Sequence, residues 1–253
     1  MRPLPPWGMP TTRWQLPEVS RDPMLSERPR TRLPAPARPH HRAVPGQVPT
    51  PTACGWKRAV VIPTTLWPCA PDPLLADVPA GQVLDVVESR WGIGTATFSA
   101  DRRYRYRLSR VFSPGQRVCF VMLNPSTADA SVTDPTVERC LRFARSWGAG
   151  EVEVVNLFAL RSTDPKALYD HPDPVGADND EAILAAARHA TTVVAAWGVH
   201  GALHGRDVQV MTALRQANVR LMALGRTRAG HPRHPLYLAG STALVEYQDA
   251  RDC

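Results

Sequence analysis

The chain has 253 residues, 43% of them hydrophobic, and 30 Lys and Arg against 23 Asp and Glu give a formal net charge of +7. Residues 1–80 hold 18 of the 26 prolines and a net +5 (10 basic, 5 acidic), which leaves 20 basic and 18 acidic residues, a net +2, for 81–253. The basic balance is therefore mostly a property of the N-terminal stretch, and it neither requires nor excludes a polyanionic partner.

No apolar run approaches the ~20 residues of a membrane-crossing helix, and the N-terminus lacks a signal-peptide core. Five scattered cysteines, Cys54, Cys69, Cys119, Cys140 and Cys253, contain no pair at the spacing of a zinc or redox motif. A cytoplasmic protein with reduced thiols is the expectation, without cofactor, metal or membrane partner.

In chain order, residues 1–80 read as a disordered Pro/Arg-rich extension, because proline removes backbone donors and few apolar side chains recur to offset ordering entropy. A single folded domain is expected over 95–247. It opens with ATFSADRRYRYRLSRVF, whose alternation predicts an antiparallel hairpin covering one edge of a sheet. RVCFVML (117–123) is a continuous apolar run of the kind made by a strand buried on both faces. Asp134 then suits a helix N-cap and Pro135 the first helical position, with Gly148 and Gly150 at the exit.

The unit repeats. VEVVNLFAL (152–160) predicts a second strand, DNDEAILAAARHA (178–190) a helix with acids in its first turn, and TTVVAAWG a third strand. GRDVQVMTALRQANV supplies a third helix and VRLMALG (219–225) a fourth strand. Strands alternating with helices imply right-handed crossovers, hence a three-layer α/β sandwich with a central, mainly parallel four-stranded sheet plus the N-terminal antiparallel hairpin.

Ligands of such sheets bind beyond the carboxyl ends of the strands. What stands there is polar: Asn124-Pro125-Ser126 after the first strand, Asn156 and Arg161 to Asp164 around the end of the second, Trp197 and His200 after the third, and His231-Pro232-Arg233-His234-Pro235 after the fourth. Asn156 interrupts an apolar run, and a buried carboxamide without partners costs roughly 1–3 kcal/mol. A base edge is one source of partners, and neighbouring loops are another. The two prolines stiffen the His231 segment. His200 and His204 have helical metal spacing, but no third ligand is evident. Ser126 lacks the Gly-x-Ser-x-Gly elbow, and no Gly-rich phosphate loop occurs.

VCFVMLNPSTADASVTDPTVERCLRFARSWG, EVVNLFALRSTDP, VVAAWG and GHPRHPLYL together resemble the bacterial and phage family called domain of unknown function 1643, over about Tyr104 to Val245. The order of motifs is also distantly similar to the uracil-DNA glycosylase superfamily. That resemblance implies recognition of a nucleobase-containing ligand, with DNA as its source and hydrolysis of the N-glycosidic bond as the reaction. It implies that Asn124 stands where a residue positions water, with Asp129 or Asp134 as compensating carboxylate, Asn156 as base reader and His231 as supporter of the leaving base. His234 is an equally possible alignment. Phe158 or Trp197 would stack on an extruded base, and Pro125, Ser126 and Arg161 would complete the binding loops. The alternatives are a non-catalytic nucleotide or nucleic-acid-binding module of phage or defence context, and hydrolysis of a free nucleoside.

Overall fold

Four largely buried strands stand side by side and parallel, and they fix where everything else goes. The computed structural model describes residues 78–248, within one compact unit. The expectation of disorder over 1–80 lies almost wholly outside these residues. β4 (Gln116–Met122) pairs in parallel with β5 (Ala149–Asn156) on one side and with β6 (Thr192–Ala195) on the other, and β6 pairs in parallel with β7 (Leu221–Ala223). From Val118 to Met122, β4 is no more than 3% exposed. Successive residues serve opposite faces: Val118, Phe120 and Met122 join one core, and Cys119 and Val121 join another.

Each face is covered by helices whose apolar stripe meets it. α1 (Pro135–Ser146) packs Val137, Cys140, Leu141, Phe143 and Ala144 against the first core. Its start was readable: Asp134 accepts from the Val137 N–H at 2.8 Å, and Pro135 occupies the first turn, where no intrahelical donor is needed. A short helix, α2 (Ala167–Asp170), precedes α3 (Asn179–His189) and α4 (Arg206–Gln216). The last two cover the second core with Ile183, Ala186, Ala187, Val210, Met211 and Leu214. Each large side chain buried this way contributes roughly 1.5–3 kcal/mol.

The expectation of a mainly parallel, four-stranded sheet needs correction. The sheet has eight strands in the order β1-β2-β3-β5-β4-β6-β7-β8, and four of its seven pairings are antiparallel. The hairpin does not lie over an edge; it continues the sheet in its own plane. β1 (Gln82–Ser89), β2 (Gly92–Ser99) and β3 (Arg105–Val111) form an antiparallel meander, and β3 pairs directly with β5. β1 and the start of β2 lie upstream of Thr95. At the other end β8 (Val245–Glu246) pairs antiparallel with β7. The second strand also stops at Asn156 rather than running to Leu160. Leu157 and Phe158 instead donate to the carbonyls of Met122 and Leu123.

Beneath α3 lies a buried ion network. Glu153 of β5 is 0% exposed and stands between Arg107 of β3, at 2.5 Å, and Arg117 of β4, at 3.6 Å. A carboxylate desolvated this far persists because two guanidiniums flank it.

Candidate functional site

Register brings the strand ends together. Met122 lies opposite Asn156, Val121 opposite Ala195, and Ala195 opposite Ala223, so the four following loops leave from one edge. β3 runs the other way, with Leu108 opposite Val154, which carries its first residue, Arg105, to that same edge. The loops and Arg105 surround a cavity of about 620 Å³, a size suited to a small organic ligand.

The floor is Arg105 and Asn156, 2% and 1% exposed. Arg105 donates from Nη1 to the Ala128 carbonyl at 2.7 Å and from Nη2 to Asn156 Oδ1 at 3.2 Å. Because a guanidinium only donates, the bond identifies the amide oxygen and leaves Asn156 Nδ2 as the atom that donates to no group among the described residues. Burial pulls the Arg105 pKa down to about 10, and Asp134 acts against that shift. No carboxylate among the described residues forms an ion pair with it. Behind the floor, Asn179, itself 0% exposed, donates to the carbonyls of Asn156 and Leu157 at 3.0 and 2.9 Å, and Arg206 Nε adds a second bond to Leu157 at 2.9 Å.

The loop after β4 is held by arginines of β3. Arg110 donates to the carbonyls of Asp129 and Val132, and Arg105 to that of Ala128. Gly94 on β2 admits this loop, since a Cβ there would stand 2.2 Å from the Ala130 oxygen. Asn124 ties two loops: its Nδ2 donates to the carbonyls of Pro125, at 3.1 Å, and Ser162, at 2.9 Å. Its Oδ1 accepts from no described residue.

Of the residues expected to form the site, Asn124, Ser126, Asn156, Trp197 and His234 line the cavity. His231, Asp129, Pro125, Phe158 and Arg161 are not among its lining residues, and each has another place. His231 Nδ1 stands 4.0 Å from Asp207. Asp129 Oδ1 accepts from the N–H groups of Ser131 and Val132 and from the Ser131 hydroxyl. Burial works against ionisation there, but those bonds outweigh it and hold the carboxyl below its ordinary value. The Pro125 carbonyl accepts from Asn124 and from the Ser162 N–H. Phe158 is fully buried in the core, and the Arg161 guanidinium lies over the Phe98 ring.

Among the lining residues not expected at the site are Arg105, concealed in an alternating hairpin, and Tyr237, 81% exposed at the rim; Asp134, expected as a helix cap and as an alternative carboxylate to Asp129, also lines the cavity. Asp134 is the one carboxylate among the described lining residues, with Oδ1 engaged by the Val137 N–H. His234 Nδ1 accepts from the Leu236 N–H at 3.3 Å, so the neutral ring carries its proton on Nε2. Burial lowers the His234 pKa, with Asp134 opposing. Trp197 is 1% exposed and packs edge-on to Tyr247, and its Nε1 has no hydrogen-bond partner among the described residues. It shapes a wall rather than offering a free face. His200 Nδ1 lies 3.0 Å from the Tyr169 hydroxyl at the mouth.

Fold and cavity together define a mixed α/β protein with a cavity at the ends of its parallel strands. Residues 105–236, just over half of the chain, match the family described as "Protein of unknown function (DUF1643)", and the chain belongs to that family. No curated protein and no solved structure matches it. Among the described residues no helix is long and apolar enough to cross a membrane.

Proposed function

We propose that the strand-end cavity binds a nucleobase-containing ligand and hydrolyses its N-glycosidic bond. The observation that carries this reading is the buried Asn156 amide, oriented by Arg105 and presenting a bare Nδ2 at the floor of a pocket large enough for a base and its sugar. The motif order resembling the uracil-DNA glycosylase superfamily points the same way.

The division of labour follows from what each group has left to offer. Cleavage develops positive charge on the sugar and negative charge on the departing base, so it needs oriented donors for the base and a carboxylate near the sugar. Arg105 and Asn156 Nδ2 are the deep donors, and His234, with Nε2–H, is a donor at the rim. Asn124 has its amide hydrogens engaged between loops, which makes it a positioning residue. Asp134 takes the part of the water-orienting carboxylate through its uncapped oxygen, in place of Asp129. Tyr237 replaces Phe158 as the aromatic surface.

One observation favours a second reading. Asp134 is also the cap of α1, so the cavity holds no carboxylate without a structural bond, and a non-catalytic nucleotide-binding module has the same floor. Incubation of the full chain with uracil-containing single-stranded DNA, and separately with uridine and deoxyuridine, distinguishes them. Abasic sites or released base that disappear in Asp134→Asn and in Asn156→Ala, but not in His231→Gln, support catalysis. Saturable binding without product supports the module. Neither binding nor product sinks both.

A further inference from the structure

Four arginines among the described residues are buried, and each must offset the cost of taking a cation out of water. Arg117 does so with Glu151 and Glu153, and Arg206 with Asp180. Arg110 donates instead to the carbonyls of Ser109, Asp129 and Val132 and to the Thr133 hydroxyl. Arg105 is the exception. Its Nη1 and Nη2 use one N–H each, on the Ala128 carbonyl and on Asn156 Oδ1, and its Nε is buried with no hydrogen-bond partner among the described residues. Arg110 and Arg161 add positive potential around it. The opposing carboxylates, Asp134 and Asp129, are held by backbone N–H groups of their own loops. Of the four, Arg105 is also the one that lines the cavity, so the partner it lacks is a group that the cavity can admit.

Resting on the nucleobase reading above, the geometry points to a carboxylate-bearing ligand whose acid group enters first and becomes the counter-ion of Arg105. A planar carboxylate matches paired N–H groups of a guanidinium. Phosphate is the poorer fit, because it needs donors for several oxygens and the N-terminus of α1, beside the cavity, is already taken by Asp134. A neutral carbonyl in the same place also accepts a bond but leaves the charge uncompensated. The subsite therefore discriminates by the charge of the ligand, and not by the pattern of its ring substituents.

The test uses the full chain and acid–amide pairs of matched shape, orotate with orotamide and benzoate with benzamide, together with uracil and inorganic phosphate. Affinities are read by calorimetry and by thermal shift. Each acid is expected to bind about tenfold or more tightly than its amide. Asn156→Asp sets a carboxylate against Arg105 from within the protein, and is expected to remove the advantage of the acids while the amides bind no worse. The comparison in the parent protein decides the matter even if that variant is unstable. If uracil and orotamide bind as tightly as orotate, or the acid preference survives in Asn156→Asp, the subsite is overturned and the nucleobase reading stands. If benzoate outbinds benzamide while uracil, orotate and orotamide do not bind, the nucleobase reading fails and the carboxylate subsite stands. Phosphate binding without carboxylate binding overturns the subsite, and binding of none of the probes overturns both.

Discussion

Arg105 Nη2 meets Asn156 Oδ1 at 3.2 Å across 51 positions of the chain, and this bond joins the antiparallel half of the sheet to the end of a parallel strand. It decides which way the Asn156 amide faces, and so which hydrogen-bonding pattern the cavity presents.

Removing that acceptor leaves a further donor of a buried guanidinium unpaired. Asn156→Ala is expected to lower stability by about 1–3 kcal/mol in urea denaturation. Asn156→Asp is expected to remain within about 1 kcal/mol of the parent, because a carboxylate accepts the same bond. Equal losses in the two variants would show that shape, not the acceptor, matters there.

His234 gives the protein a pH dependence of known sign. Its folded pKa lies below 6.5 because of burial, so above about pH 6.5 both folded and unfolded chains carry it neutral and its contribution is complete. As the pH falls below that value, the unfolded chain takes the proton first and stability declines until the folded value is passed. Denaturation series at several pH values should show this decline to be smaller in His234→Gln; parallel curves for the two proteins would refute it.

At Gly201 an added Cβ would stand 2.1 Å from Trp197 Cδ1, too close for either group to stay in place. Gly201→Ala should cost about 1–3 kcal/mol as an overpacked site, seen as a drop of several degrees in Tm. Because Trp197 forms a cavity wall, ligand affinity should fall with it. An unchanged Tm would mean that the ring has room to retreat.

Tyr237 separates binding from folding. At 81% exposure its truncation to Ala should shift stability by less than about 0.5 kcal/mol. If the ring stacks on a base of the ligand, affinity should fall by roughly 1–3 kcal/mol. Titration with uracil-containing single-stranded DNA measures it, and an unchanged affinity would remove Tyr237 from the binding surface.

The parallel strands and their helices were legible because burial on both faces writes itself as unbroken apolar runs, and because Asp134-Pro135 punctuates a helix start. The edge where the loops gather followed from strand direction alone. Arg105 did not, for the alternation Arg103-Tyr104-Arg105-Tyr106-Arg107 looks the same whether the arginines face water or the interior, and only pairing with β5 shows Arg105 turned inward. Asp134 was legible as the cap of α1 and as an alternative carboxylate to Asp129, and only the fold shows which of the two carboxylates lines the cavity. His231 and His234 share a motif, and only the fold separates the one near Asp207 from the one that lines the cavity.

The segment shared with the family begins at Arg105, on β3, while β1 and β2, which close the outer side of that strand, lie before it. A chain trimmed to the shared segment would keep every lining residue up to Leu236 yet present β3 as an open edge with a row of unpaired backbone groups. Such an edge invites pairing with another molecule. The meander thus covers the outer side of the strand that supplies the pocket floor and moves the open edge of the sheet outward to β1.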